Sequence, residues 1–119
     1  MVYTLSIPMP LFSKARPRLG ARGAYMPHAY KQAQRRMRAI IRQQWEQDPL
    51  EGPIRLDLVC CGEARMDCDN IIGGLMDSAN GILWLDDRVT IIPEISVKWS
   101  KAKRVDSRWD VTITELDHG

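Results

Sequence analysis

The sequence lacks the segments that direct a protein into or across a membrane. It has no apolar run close to the roughly 20 residues that a membrane-spanning helix requires. Met1 to Pro10 lack the charged start and the small-residue cleavage site of a signal peptide. The cysteines, Cys60, Cys61 and Cys68, are odd in number and have no C-x-x-C spacing. We therefore expect a soluble, intracellular protein with reduced thiols.

Histidine is also scarce, and zinc-binding spacing is missing. The sequence has two isolated histidines and no four-ligand set of cysteine and histidine. We interpret His28 as a helix-entry or surface residue and His118 as part of the tail. A zinc enzyme and a histidine-based catalyst are therefore disfavoured.

Acidic residues are missing from the first third of the chain. None occurs before Glu46, although nine lysines and arginines do. From Glu46 to Val97 the balance reverses, with eleven acidic residues against three arginines. This split indicates one region that attracts a polyanion and another that binds a cation. The alternative is that both are solvated faces that neutralise each other, and charge counts alone leave both open.

The length and composition match one small domain. The chain of 119 residues is 45% hydrophobic and 27% charged, which excludes a disordered chain. We treat residues 1–119 as a single domain with a modest core. Because a monomer of this size buries a limited fraction of its surface, a dimer is a natural way to complete the core.

Alternating apolar and polar residues predict strands at Val2–Ile7, Ile54–Cys61 and Arg108–Glu115. Val89 to Trp99 has strand composition, but Pro93 interrupts it and predicts an edge position or a bulge. We expect these strands to form one mixed sheet of about four strands.

Apolar residues at spacings of three and four predict two main helices. The first begins at Pro27 and reaches Trp45, and the second begins near Asp69 or Asn70 and ends by Gly81. With the sheet, they predict an α/β (mixed α+β) fold in which both helices pack against the sheet.

Two segments depart from regular periodicity. Residues 11–27 combine prolines, glycines and basic residues, which is typical of an exposed, mobile loop that an anionic partner would order. The Gly73-Gly74 pair weakens the second helix. We expect either close packing or the close approach of a ligand at these glycines.

The sharpest local signal is Asp67-x-Asp69 at the entry to the second helix. Residues two apart in an extended stretch point to the same side, so the carboxylates converge. They repel each other unless a cation compensates, and Mg²⁺ prefers carboxylate oxygens. Asp86 and Asp87 form a second acidic pair. Three carboxylates around one or two metals would activate a water and stabilise the leaving oxygen of a phosphodiester.

Ordinary structural roles compete with this interpretation. Asp69 would also suit the N-cap of the helix, and Asp86-Asp87 would suit a turn. Asp77 lies on nearly the same helix face as Asn70 and is either a supporting carboxylate or a solvent-facing residue. Spacing alone leaves these alternatives open.

Several motifs in combination resemble the central signature of the RusA family of Holliday junction resolvases. They are Arg65-Met66-Asp67-Cys68-Asp69-Asn70, Asp77 and Gly81-Ile82-Leu83-Trp84-Leu85-Asp86-Asp87. The opening strand that ends in Ile7-Pro8-Met9-Pro10 and the tail Val111-Thr112-Ile113-Thr114-Glu115 are similar too. The resemblance therefore covers nearly the whole chain.

The resemblance implies a homodimeric, Mg²⁺-dependent endonuclease, for which Mn²⁺ can substitute. It implies paired nicks in four-way DNA junctions during recombination and repair, by an enzyme of the bacterial cytoplasm commonly encoded by phages or prophages. By position, Asp67, Asp69 and Asp87 match the metal-binding catalytic aspartates. Asn70 and Asp86 match supporting positions.

Two departures accompany the resemblance. Family members often carry a lysine three residues after the motif asparagine, where this sequence has Gly73, and a basic run before the first aspartate, where it has Arg65 alone. We hypothesise that an arginine of the basic loop, Arg16 or Arg18, supplies the missing charge.

A basic rim around a carboxylate site would hold DNA phosphates. The candidates are Lys14, Arg16, Arg18, Arg22, Arg35, Arg36, Arg38, Arg42 and Arg65. We expect the four tryptophans in the core or a dimer interface, although one could stack on an opened base. Three functions stay open: a junction-resolving nuclease, a junction-binding protein that cleaves weakly or not at all, and a nuclease for forks or flaps.

Overall fold

The computed structural model describes residues 1–117 and arranges them as six strands and two α-helices. In chain order these are β1 Val2–Ile7, β2 Arg18–Gly20, β3 Gly23–Tyr25, α1 His28–Gln44, β4 Ile54–Cys61, α2 Cys68–Ala79, β5 Glu94–Ser100 and β6 Arg108–Glu115. Neither helix in this range has the length and apolar character that a bilayer span needs. His118 lies outside the described residues.

Four of the strands form one mixed sheet in the order β1-β6-β4-β5. β6 is antiparallel to both β1 and β4, whereas β4 and β5 are parallel. Buried Val111 of β6 pairs with Leu5 on one side and Leu58 on the other. Because successive side chains of a strand alternate between faces, this register gathers the apolar residues on one face of the sheet.

The two helices supply the other half of the core. α1 buries Tyr30, Met37 and Ile41. α2 contributes a longer set of buried apolar residues, Ile71, Ile72, Leu75 and Ala79. Trp84 and Trp109 are fully buried within the same cluster, as expected for core tryptophans. The predicted mixed four-stranded sheet with two helices is therefore confirmed.

Most predicted strands keep their boundaries, and the differences have local causes. β5 begins at Glu94, directly after Pro93, and lies at the edge of the sheet. Proline has no N–H to donate to a neighbouring strand, so the predicted strand shortens at this residue. Between residues 11 and 27, the chain also forms the exposed β2–β3 hairpin. Its turn is Ala21-Arg22, and Gly23, which follows the turn, has a φ of 101°. The mobility of this segment stays a prediction.

The start of α2 differs slightly from the prediction. The helix begins at Cys68, and Asp67 occupies the N-cap position with an extended backbone. Asp69 lies in the first helical turn, so the alternative that Asp69 is the N-cap is wrong. The carbonyl of Asp67 accepts from the N–H groups of Asn70 and Ile71 at 3.0 and 3.2 Å, which starts the helix earlier than apolar spacing indicated.

Candidate functional site

The junction between β4 and α2 presents two aspartates to solvent. Asp67 and Asp69 are both exposed, and neither has an ion-pair partner within residues 1–117. The Asp67 side chain makes no capping hydrogen bond. Carboxylates at the start of a helix are favoured by the helix dipole, which partly offsets their mutual repulsion. Their charge is thus left available to an external cation.

The two residues of the second acidic pair, Asp86 and Asp87, have different surroundings. Asp86 accepts from the backbone N–H of Asp87 at 2.9 Å and from Nε of Arg88 at 3.0 Å. The hydrogen bond from Arg88, followed by that from the Asp87 N–H, lowers the pKa of Asp86 below its usual value. Asp86 therefore has the partners of a turn aspartate, whereas Asp87 is exposed.

The segment that leads to Asp87 is attached at the far end of α2. Nε1 of Trp84 donates to Oδ1 of Asn80, which follows the last residue of the helix, at 2.8 Å. A helix of 12 residues spans about 18 Å, and Asp67 and Asp69 lie at its other end. Within the described chain, no three His, Cys, Asp or Glu side chains are grouped so that they could hold a metal. One chain does not assemble the predicted three-carboxylate site, and the assignment of these ligands stays a prediction.

The Asp77 carboxylate, in contrast, has two partners within the protein. Its Oδ1 lies 3.3 Å from Nζ of Lys14, and its Oδ2 accepts from the Tyr30 hydroxyl at 3.0 Å. Gln34 donates in turn to the Tyr30 oxygen at 3.3 Å. Burial, then the hydrogen bond to Asp77 and its charge, raise the pKa of Tyr30 well above the usual value, so Tyr30 stays a donor. The sequence suggested neither partner, because Tyr30 is 47 residues away and Lys14 farther still.

Most basic residues of the first third are exposed and have no ion-pair partner in the described chain. Of the nine that precede Glu46, only Lys14 forms an ion pair within residues 1–117. The exposed members on the hairpin segment and α1 are Arg16, Arg18, Arg22, Lys31, Arg35, Arg36 and Arg42. We call these seven residues the basic surface. Unpaired guanidinium groups are well suited to phosphate oxygens.

Arg65, two residues before Asp67, lines a separate cleft. This cleft has a volume of about 400 Å³, and Glu63, Ala64, Trp99 and Lys101 also line it. Trp99 is 48% exposed, and its Nε1 donates to the Gly62 carbonyl at 3.1 Å. This tryptophan is held in place without being buried, unlike Trp84 and Trp109.

A family comparison identifies the chain that carries these features. Residues 8–114 match the family model described as Endodeoxyribonuclease RusA. The chain belongs to the RusA family. This family consists of Holliday junction resolving endodeoxyribonucleases, so the protein is a nuclease of DNA recombination. RusA family nucleases are generally metal-dependent. None of the curated proteins compared with the chain matches it.

Proposed function

We propose that this RusA family member resolves four-way junctions by Mg²⁺-dependent paired hydrolysis, with Asp67, Asp69 and Asp87 as its metal-binding carboxylates. The main support is the exposed pair Asp67 and Asp69, which stands without ion-pair partners in the described chain. Like charges two residues apart in the sequence repel each other unless a cation compensates. Mg²⁺ favours such oxygen ligands and keeps waters that can be exchanged for phosphate oxygens.

In this proposal, Asp87 joins the other two carboxylates across a homodimer. Within one chain, the segment before Asp87 is attached at the end of α2 opposite to Asp67 and Asp69, and no three-carboxylate group forms within residues 1–117. A four-way junction has paired scissile sites, so a two-fold dimer with two active centres follows its symmetry. The edge strand β5 offers a candidate contact surface, because Ile95 and Trp99 are 45% and 48% exposed on its apolar side.

The basic surface holds the DNA in this proposal. Each phosphate that an arginine or lysine neutralises releases counterions, so affinity falls steeply as salt is added. Phosphate contacts orient the nucleic acid without reading its sequence, and this suits an enzyme that selects by branch geometry. With DNA as its substrate, the protein would act in the bacterial cytoplasm, as the resemblance to the family implies.

Cleavage of a synthetic mobile four-way junction on denaturing gels tests the function. The reactions contain Mg²⁺ or Mn²⁺, with a fork and a linear duplex as substrate controls. We expect paired, symmetric nicks from the wild type and none from Asp69→Asn. Asp106→Asn, an exposed aspartate away from α2, is the matched control and should cleave normally. Tight junction binding without nicks in either metal would overturn the proposal, and equal cleavage of forks would overturn junction selectivity.

Mixing two inactive variants tests whether the carboxylates are shared between subunits. Asp69→Asn and Asp87→Asn each lack an intact site as homodimers. If a site uses Asp87 of the partner subunit, a mixed dimer contains one complete site and one that lacks both aspartates. We therefore expect co-refolded mixtures to recover nicking of a single strand. With mixed dimers verified by native mass spectrometry, a failure to recover any nicking would refute the shared site.

A further inference from the structure

The chain just before the basic hairpin is docked on α2 by both apolar and polar contacts. Leu11 is buried, and the Phe12 ring lies between Tyr30 and Trp109, with centroid distances of 6.0 and 5.2 Å. Lys14 then donates its backbone N–H to the carbonyl of Asn70 at 2.8 Å. The backbone of Lys14 is therefore fixed at the first turn of α2, at the same end of the helix as Asp67 and Asp69.

The glycine pair of α2 provides the space for this segment. A Cβ at Gly74 would lie 3.0 Å from Cε2 of Phe12. At Gly73, a Cβ would lie 3.2 Å from Cδ and 3.3 Å from Cβ of Lys14. Glycine is a poor helix former, so two in succession indicate a demand for close approach. We expected either close packing or the close approach of a ligand at these glycines, and the structure shows close packing. The aliphatic part of the Lys14 side chain crosses the helix at Gly73.

The ammonium group of Lys14 is held but remains accessible. Its contact with Asp77 is 3.3 Å, the Lys14 side chain is 47% exposed, and that of Asp77 is 23% exposed. Asn70, Gly73 and Asp77 lie on one face of α2, because residues three, four and seven apart are neighbours on a helix. An exposed ion pair is screened by water and contributes little, so an incoming phosphate can replace the carboxylate.

We propose that Lys14 binds a DNA phosphate on this face of α2, next to Asp67 and Asp69, with Asp77 and Tyr30 as positioning residues that hold its ammonium group beforehand. The Tyr30 hydroxyl donates a hydrogen bond to Oδ2 of Asp77. This bond orients the carboxylate so that its Oδ1 faces the Lys14 ammonium group. Lys14, rather than Arg16 or Arg18, is the basic-loop residue in contact with Gly73. This inference rests on the proposed function, since it assigns the phosphate to the same nuclease site.

A lysine relocation experiment tests the role of the charge. Lys14→Ala should lower the single-turnover rate of junction cleavage by about tenfold or more, because one preorganised cationic donor is lost. Lys14→Ala combined with Gly73→Lys should recover much of that rate. The new side chain starts within 3.2 Å of the vacated Lys14 Cδ position and can occupy the same volume. Lys103→Ala, an exposed lysine elsewhere, is the matched control and should cleave at the wild-type rate.

Comparing Asp77→Asn with Lys14→Ala shows whether Lys14 binds phosphate or only anchors the chain segment before the hairpin. If Lys14 only anchors the chain through its ion pair, Asp77→Asn and Lys14→Ala should slow cleavage equally. If Lys14 binds phosphate, Asp77→Asn should cost several-fold less, because the ammonium group remains. Thermal unfolding of all variants checks that each is folded. Equal losses, or wild-type cleavage by Lys14→Ala, would overturn the inference while leaving the nuclease function intact.

Binding data keep the inference testable if the wild type does not cleave, the outcome that refutes the proposed function. Junction affinity is then measured between roughly 50 and 200 mM salt, a range over which affinity based on phosphate contacts falls steeply. Lys14→Ala should reduce the slope of log affinity against log salt by about one, as expected for the loss of one phosphate contact. Lys103→Ala should leave the slope unchanged. An unchanged slope for Lys14→Ala would overturn the inference.

Discussion

The aspartates of α2 differ sharply between the start of the helix and its third turn. Asp67 and Asp69 are exposed and have no ion-pair partner in residues 1–117, whereas Asp77 is bound by both Lys14 and Tyr30. The paired carboxylate joins the N-terminal segment to the helix, so its charge serves the fold. Within residues 1–117 the unpaired carboxylates form no comparable contact, and this difference is why we propose them as metal ligands.

The basic residues show the same division. Lys14 contacts α2 through its backbone, its stem and its ammonium group. Arg16, Arg18 and Arg22 follow it on the exposed hairpin segment without ion pairs in the described chain. The fold thus positions the Lys14 ammonium group, whereas no ion pair in the described chain holds the three arginines. The following predictions test this contrast between positioned and free charges.

The largest effect is expected at the free carboxylates. Asp67→Asn should reduce Mg²⁺-dependent junction cleavage by about 100-fold or more, because loss of a metal ligand removes several kcal/mol of transition-state stabilisation. The same change should leave the melting temperature equal or slightly higher, since it relieves repulsion with Asp69. Single-turnover gels and thermal denaturation measure the two effects. A marked loss of stability would mean that Asp67 has a structural role and would break the contrast with Asp77.

Phe12→Ala should give the next largest effect, on stability rather than chemistry. Removing the ring empties the space between Trp109 and Gly74, and large-to-small changes at packed aromatic positions cost roughly 2 to 4 kcal/mol. Urea unfolding measures the loss. Phe12→Leu is the control and should cost clearly less. Unchanged unfolding of Phe12→Ala would show that the segment before Lys14 is not anchored.

Removing a free cation should weaken DNA binding without affecting the fold. Arg18→Ala should lower junction affinity and decrease the salt slope by about one, because one phosphate contact is lost. Fluorescence anisotropy over a salt series measures both quantities, and Lys103→Ala serves as the control. A change in melting temperature without a change in slope would place Arg18 among the structural residues.

Tyr30→Phe should destabilise the protein by about 1 kcal/mol, the usual net value of one hydrogen bond. The change removes the donor to Asp77 and keeps the buried ring. Chemical denaturation of Tyr30→Phe, Asp77→Asn and the double variant measures the coupling between the residues. Additive losses would contradict a direct interaction and weaken the assignment of Asp77 as the positioned carboxylate.

The smallest effect concerns a paired carboxylate on the opposite face of the sheet. The hydrogen bonds to Asp57 from Arg55, at 3.0 Å, and then from the Ser96 hydroxyl lower the pKa of Asp57. A lowered folded-state pKa stabilises the protein above the unfolded value, about 3.9, and this contribution disappears as pH falls through the folded-state pKa. Asp57→Asn should therefore cost less than about 1 kcal/mol at pH 7, because Arg55 is half exposed, and less near pH 2. Urea unfolding at both pH values measures the difference, and an equal cost at both would refute the linkage.

Local sequence patterns were sufficient for most of the fold. The alternation in β1, β4 and β6 and the apolar spacing in α1 record which side chains face the core, so these elements follow from neighbouring residues alone. Pro93 likewise indicated an edge strand, because a missing N–H is a local property. The hairpin within residues 18–25 was missed, since its exposed strands carry no apolar alternation.

Some properties of the candidate site follow from the sequence, and others follow only from the tertiary structure. The Asp67-x-Asp69 motif, the charge split and the family signature are properties of the sequence itself. They predicted a metal-dependent nuclease as the main interpretation and left a junction-binding protein that does not cleave as an alternative. Only the tertiary structure decided that Lys14 crosses Gly73, that Asp77 is bound by Tyr30 and that the segment before Asp87 is attached at the far end of α2. These contacts join residues distant along the chain, and their geometry depends on how the helices pack on the sheet, which no short-range pattern records.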